Sequence, residues 1–426
     1  MQIIVLIALL ASFVTPEQFG APADGAGDDA PAFNACIRSG LPVSLKKDKT
    51  YILRSRLERI SGNSFVLDGN GATLVIDSSY PVLASDCLFA FENDYDSRDV
   101  FKVKNLYIKS YLGPKFTDAS RRGDTYVFYV GNCAKAEFRN VDFEDFGRYN
   151  NLSFIVNAGA NMSLRDCRIV SHSRSVQGGA LWLMNKYREQ LRLSLHNVDI
   201  DYDTHDECLC VAVDAASELS DMKLRAKISS CNFRSASSVD NPGFVILYCH
   251  SDRIVPDIEA VFRHCSFVTE KGLPKRILAF QSTRSPAVPD NHIAASFNRC
   301  RFVNKPAVRS DTGLFWMPHK TPQTRPEQYL MRFVKSSIEA SNVCSVIGDK
   351  DGETCGTLEF RACDVRTDGE LFVRRYNPGA GKLLIRTQGS TMHCSGKYVT
   401  TETIEARRTS FVSDFVSEME MTKINP

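Results

Sequence analysis

The most regular feature of the chain is an alternation of apolar and polar positions that breaks by two residues within each copy of a recurring unit. The unit reads apolar, any, apolar, any, any, Cys or Val, any, large apolar. It stands in "AEFRNVDF" (136–143), "MSLRDCRI" (162–169), "LSLHNVDI" (193–200) and "AKISSCNF" (226–233). It continues in "AVFRHCSF" (260–267), "ASFNRCRF" (295–302), "MRFVKSSI" (331–338) and "LEFRACDV" (358–365), with weaker copies ending at Ile108 and Met392. The closing apolar position falls at Phe143, Ile169, Ile200, Phe233, Phe267, Phe302, Ile338 and Val365, in steps of 26 to 36 residues. A period of two is that of a strand with one buried face, and the break predicts a sharp bend between two short strands. A second, almost continuously apolar strand lies upstream, as in "YVFYV" (126–130), "ALWLM" (180–184), "CLCVAV" (208–213) and "FVILYC" (244–249), and again at 277–281, 314–317 and 371–373.

A unit of this size cannot bury its own apolar face, whereas stacked neighbours bury a continuous core. Parallel pairing of adjacent turns, about 4.8 Å apart, predicts an all-β fold. It is a single-stranded right-handed parallel β-helix of roughly 10–11 turns with a short N-terminal capping helix. In that frame Cys167, Cys231, Cys265, Cys300 and Cys363 share one inward position with Val141, Val198 and Ser336. They form a ladder of small buried side chains, since free cysteine packs as a compact hydrophobe. The chain has 14 cysteines but no CxxC pair, and at 426 residues it does not need a disulfide framework. Reduced core thiols are expected, with no metal.

The open end of such a solenoid must be covered. In "FGAPADGAGDDAPAFNACI" (19–37), Asp28 or Asp29 begins a short helix and Gly40 ends it. One broad side of that helix carries Ala30, Phe33, Ala35, Cys36 and Ile37, suited to plugging the first turn. Before it, residues 3–11, "IIVLIALLA", are too short for a membrane span and fit either a secretion-signal core or a buried first strand. The expected organisation is an apolar N-terminus over 1–13, a capping segment over 14–60, the β-helix over 61–412 and a tail over 413–426.

Composition narrows the function classes. Charged residues make up 24% and hydrophobic ones 43%, which describes a folded chain rather than a disordered one. A net charge of +2 gives no nucleic-acid footprint. No GxxxxGK[ST] loop or HExxH helix is present, so phosphate cradles and zincin sites have no basis.

The stretch "VTPEQFGAPADGAGDDAPAFNACI", followed by "LPVSLKKDKTYIL" and "FVLDGNGATLVI", resembles the amino-terminal signature of the pectate-lyase-like superfamily of β-helix proteins. The matching positions are Phe19-Gly20-Ala21, Asp24-Gly25, Asp28-Asp29, Ala32-Phe33 and Thr50-Tyr51-Ile52, over about 60 residues. The resemblance implies a polysaccharide-binding or polysaccharide-cleaving protein deployed outside the cell, on a phage tail or by secretion. It implies a homotrimer if the protein is a tailspike, and it places no catalytic residue.

Glycoside cleavage needs two carboxylates flanking one bond, about 5–5.5 Å apart for retention or roughly 6.5–9.5 Å for inversion. Outward positions of the repeat offer Asp142 and Asp199, or Glu144 and Asp201, two turns and therefore about 9.6 Å apart. The densest cluster is "DIDYDTHDE" (199–207), with Asp199, Asp201, Asp203 and His205 as catalytic candidates beside Asp142 and Glu144. His172, Arg174, Tyr202, Arg168 and Arg234 are the substrate-binding candidates around them. The plain alternative is a solvated turn whose acids pair with neighbouring arginines. No cofactor is expected; lyase chemistry would add a basic residue and Ca2+. A polar row at strand ends, including Asn157 and Asn185, is either a sugar-binding wall or a set of bend-closing side chains. Trp182 and Trp316, inside apolar strands, are expected in the core. The sequence thus favours a glycoside hydrolase over a polysaccharide lyase, with polysaccharide as partner and neither nucleic acid nor a membrane span. A non-catalytic glycan-binding or structural virion protein is the alternative.

Overall fold

The computed structural model describes residues 13–81, 87–93, 98–112, 125–147, 152–175, 180–204, 208–213, 221–234, 245–249, 255–269, 278–282, 292–305, 315–316, 329–340, 356–368, 383–395 and 403–413. The apolar run 3–11 and the strand expected at 371–373 lie outside them. The chain forms two compact units, divided between Ala180 and Leu181.

In the first unit, the strands Phe65–Ile76, Val100–Ser110, Lys135–Asp145 and Asn161–Ser175 pair in parallel, each with the next. A second parallel sheet joins Cys87–Glu92, Thr125–Gly131 and Leu152–Asn157. Each coil thus returns to lie beside the one before it. For twisted strands such a parallel crossover takes the right hand, so the unit is a right-handed parallel β-helix, as the periodicity predicts.

The second unit repeats the scheme. Asp221–Ser229 is followed in parallel by Val255–Arg263, His292–Asn298, Tyr329–Val334, Gly356–Arg361, Leu383–Gln388 and Thr403–Arg407. Beyond the bend, Asn232–Arg234, Ser266–Thr269, Arg301–Asn304, Ser337–Ala340, Asp364–Thr367, Thr391–Cys394 and Ser410–Ser413 pair likewise.

The two-residue break has a single backbone cause. In the first unit Asn70, Asn105, Asn140 and Asp166 take left-handed φ values of 49–55°. In the second, Asn197, Ser230, His264, Arg299, Lys335, Ala362 and Arg408 do so at 47–54°, and Gly389 at 58°. One left-handed residue turns the strand without a loop, and Asn tolerates that region better than most. In the first unit the asparagines also form a ladder: Asn140 Nδ2 donates to Asn105 Oδ1 at 3.2 Å, and Asn105 Nδ2 to Asp68 Oδ1 at 3.0 Å.

The residue after each bend points inward. Cys167, Cys231, Cys265, Cys300, Cys363 and Ser336 are all buried, and the described cysteines of the ladder are free thiols. Their chemistry goes further than small apolar filler. Each donates to the carbonyl two residues back, across the bend: Cys231 Sγ to Ser229 O at 3.2 Å, Cys265 Sγ to Arg263 O at 3.4 Å, Ser336 Oγ to Val334 O at 3.1 Å. Ser and Cys share that donor at this position, whereas Val141 and Val198 fill it by size alone. Burial pushes the Cys167 thiol up to about 11, which keeps it protonated and unreactive.

Aromatic side chains fill the coils as columns. Phe262, Phe297, Phe333 and Phe360 stack at centroid distances of 4.6, 5.1 and 5.1 Å. Phe233, Phe267 and Phe302 make a second column at 4.9 Å per step.

The capping helix is Ala30–Ser39, with Ala30, Ala32, Phe33 and Cys36 buried and Gly40 ending it at φ 66°. Phe33 packs edge-on against Tyr51 at 5.7 Å. The opening acids build the cap. Asp28 Oδ1 accepts from Ala30 N at the helix start and from Arg54 N. Asp29, wholly buried, accepts from Ala23 N at 3.1 Å and Ile52 N at 2.7 Å, joining the helix to the first strands.

Candidate functional site

The first unit presents its acids in register. Tyr107 pairs with Asp142 and Asp142 with Arg168; Lys109 pairs with Glu144 and Glu144 with Val170. Alternation along Lys135–Asp145 puts Asp142 and Glu144 on the same outward face, their Cα atoms roughly 6.6 Å apart.

Glu144 is the centre of the group. Tyr107 Oη donates to its Oε2 at 2.7 Å, the Arg168 guanidinium pairs with its Oε1, and His172 Nε2 lies 4.0 Å from Oε2. The Tyr107 hydrogen bond foremost, then Arg168, hold the Glu144 carboxyl below the usual carboxylate range against the opposing effect of burial. Burial and the bond to Glu144 push the Tyr107 phenol up to about 12. Asp142 goes the other way: burial raises its pKa, and the nearby Arg168 only partly offsets this. Two carboxyls on one face are therefore biased apart, one toward the protonated and one toward the ionised form. Acid–base pairs are built on this pattern.

Tyr111 and Phe146, just past the ends of their strands, form a row of rings with His172. Tyr111 and Phe146 stack at 5.3 Å with an interplanar angle of 14°, and Phe146 stacks on His172 at 4.8 Å and 18°. Tyr111 is 42% and Phe146 41% exposed. Large aromatic faces left in water, parallel and adjacent to carboxyls, are suited to the apolar face of a sugar ring. Beside the platform, Gly147 follows Phe146 and Leu112 follows Tyr111. A Cβ on Gly147 would stand 2.2 Å from Leu112 O, so only glycine lets the two backbones approach.

Of the sequence-derived candidates, the structure thus brings together Asp142, Glu144, Arg168 and His172. Arg174 lies in the same strand, Asn161–Ser175, but its side chain lies outside the described residues. The 199–207 cluster is in the second unit. Asp199 is exposed and accepts from Asn232 Nδ2 at 2.6 Å; Asp201 is exposed in register with Arg234. Asp203 lies in the strand Gln190–Thr204 with its side chain outside the described residues, and His205 is wholly outside them. Tyr202 corrects the expectation of a substrate contact: it is 0% exposed, because alternation from outward Asp201 turns it inward. Trp182 is half-buried rather than in the core, its strand alternating about Leu181 and Leu183. Asn157 and Asn185 close bends, accepting from Ala160 N at 2.9 Å and Arg188 N at 3.1 Å. Among the described residues no group of His, Cys, Asp and Glu is arranged to hold a metal ion.

Tyr107, Tyr111 and Phe146 were missed by sequence reasoning. A signal was there: Tyr111 stands three residues after Ile108 and Phe146 three after Phe143, equivalent places in successive copies.

No protein-family model matches the chain, and neither does any curated protein. Among solved structures it is similar to the catalytic domain of Agl-KA, with 11% identity, 95% of this chain and 69% of that chain covered, and a TM-score of 0.49. It is also similar to the tailspike protein gp49 from Pseudomonas phage LKA1, at 10% identity, 93% and 81% coverage and a TM-score of 0.46. The A-module of the Azotobacter vinelandii mannuronan C-5 epimerase AlgE4 gives 10%, 87%, 99% and 0.40. At these values the likeness assigns no residue a role.

Proposed function

We propose that the protein binds a polysaccharide on the Tyr111–Phe146–His172 platform and hydrolyses a glycosidic bond with Asp142 and Glu144. One observation carries the reading: an exposed aromatic stack stands beside two carboxyls whose pKa values are shifted in opposite directions. In this scheme Asp142, protonated, gives its proton to the leaving glycosidic oxygen as the C–O bond breaks. Glu144, ionised, takes a proton from the water that attacks the anomeric carbon. Retention or inversion is read from the anomer released, by NMR of the fresh product. The amino-terminal resemblance adds the setting, outside the producing cell and, for a tailspike, as a homotrimer; equilibrium sedimentation of the purified chain tests the trimer.

The test is incubation with capsular, exopolysaccharide and pectic panels, following reducing ends and absorbance near 235 nm. New reducing ends without absorbance mean hydrolysis; both together mean elimination. Asp142→Asn and Glu144→Gln should each lower the rate about 100-fold or more, the usual weight of a general acid or base. Full activity in either variant would overturn the assignment. A second reading rests on Glu144 being engaged by both Tyr107 and Arg168: the acids hold the surface in shape and the platform only binds. Glycan binding with no cleavage on any panel decides for it.

A further inference from the structure

The last coils of the second unit carry two adjacent columns of outward side chains. In one, Arg332, Glu359 and Arg386 follow each other in register. In the other, Arg361, Gln388 and Arg407 do so. Coils are about 4.8 Å apart and the columns two residues apart, so the four arginines are spread over four successive coils of one face. They line one cleft of about 350 Å³.

The charges in this cleft are unequal. Glu359 is its one carboxylate lining residue and is only 6% exposed. It accepts from Arg332 Nε at 2.6 Å and is also bonded by Arg361. Burial alone would raise its pKa, but the two arginines outweigh burial and keep it ionised. Its charge is therefore committed to two arginines, whose guanidinium planes it fixes while half of the Arg361 side chain stays exposed. Glu405 stands in register with Arg386. The Arg407 side chain makes no ion pair among the described residues. The lining sets four arginines against one carboxylate and so keeps a surplus of positive charge. A fork of fixed guanidinium groups matches a planar or tetrahedral oxyanion bidentately, which a set of flexible lysines would not.

We propose that this cleft binds an oxyanion, with Arg407 and Arg386 as the gripping residues and Arg332 and Arg361 held in place by Glu359. The anion is a carboxylate, sulfate or phosphate group, and its source is either an acidic sugar chain or a free inorganic ion. The site uses none of the residues of the platform in the first unit, and it does not depend on cleavage.

The test is titration calorimetry on the full chain with three probes: sodium phosphate, a hexamer of galacturonic acid, and neutral cellohexaose. At least one anionic probe should bind, with affinity falling as salt rises from about 50 to 200 mM. Arg407→Gln and Arg386→Gln should each weaken that binding about tenfold or more, the loss of a charge-assisted hydrogen bond, while the circular dichroism spectrum stays that of the parent. Both variants should treat cellohexaose as the parent does. Binding of the hexamer but not of phosphate assigns the anion to a sugar; binding of phosphate but not of the hexamer assigns the free ion; mutual competition shows that the cleft takes the oxyanion from either source. The proposal is overturned if neither anionic probe binds the parent, or if both variants bind like the parent. Loss of hexamer binding in Tyr111→Ala/Phe146→Ala alone, with both arginine variants unaffected, would leave the platform reading standing and sink this one.

Discussion

At the scale of single residues, the site depends on how a carboxyl's surroundings set its charge. Glu144 has a folded pKa below its unfolded value, so it stabilises the fold above the carboxylate range and loses that contribution as pH falls through the folded pKa. Asp142 has the opposite sign: its raised folded pKa favours the fold at low pH and disfavours it once the carboxyl ionises. Asp142→Asn is thus expected to leave the melting temperature at pH 7 unchanged or higher, whereas Glu144→Gln lowers it; differential scanning fluorimetry of both variants decides. If the pair works as proposed, activity against pH is bell-shaped, its acidic limb set by Glu144 below the ordinary glutamate value and its alkaline limb by Asp142 above the ordinary aspartate value. A flat profile through pH 3–7 would contradict that. The platform has its own residue-scale test. Gly147→Ala must push Leu112 away, at a cost of about 1–3 kcal/mol, and should weaken glycan binding together with stability. Tyr111→Ala or Phe146→Ala should weaken binding while sparing stability, since both rings are more than a third exposed.

At the scale of elements, each bend is two strands joined by one left-handed residue. Where that residue is Asn the backbone is suited to it. Ala362 at φ 51° and Lys335 at φ 49° are not, and each bears strain of about 1–2 kcal/mol relative to a right-handed conformation. Ala362→Asn should therefore raise the melting temperature by a degree or more; a fall would mean that packing around the bend outweighs the relief. The stacked columns make the opposite case. Phe297 touches Phe262 and Phe333 face to face and Phe267 and Phe302 edge-on. Phe297→Ala should cost about 3–5 kcal/mol, measured by urea unfolding. The cysteine position belongs to this scale too. Its thiols satisfy bend carbonyls from inside, so they should resist a thiol reagent in the folded protein and react once urea unfolds it.

At the scale of the whole molecule, carboxylates engaged in the fold set the response to acid. Asp28, Asp68, Asp257 and Glu359 all have lowered folded pKa values, each through hydrogen bonds or ion pairs that outweigh burial. Stability should fall as pH drops below about 4, where the unfolded chain takes up protons first; a melting temperature constant from pH 7 to 3 would show these pairs to be inconsequential. Asp29, like Asp142, is raised by burial, so its value to the cap lies in geometry rather than charge. Asp29→Ala leaves the buried N–H groups of Ala23 and Ile52 without acceptors and should cost about 2–5 kcal/mol, whereas Asp29→Asn keeps one acceptor and should cost less.

The sequence by itself determined the coil: the period-two alternation, the bend, the inward cysteine position and the capping helix with its acids are set within ten or so residues of each other. Gly25, Asp28 and Asp29 were legible as cap rather than chemistry because turn and N-cap preferences are local. Part of the site was legible as well, since Asp142, Glu144, Arg168 and His172 occupy outward positions of recognisable copies. What only the tertiary structure decided is which outward residues become neighbours. Copies are separated by 26 to 36 residues, so lateral contacts such as Tyr107 with Glu144, or Tyr111 with Phe146, are fixed by the stacking register of coils of unequal length. In the richest acid cluster of the sequence, 199–207, Asp199 and Asp201 lie in register with Asn232 and Arg234, and Tyr202 is core. Local pattern sets which way a side chain faces; only the stacked backbone sets what it faces.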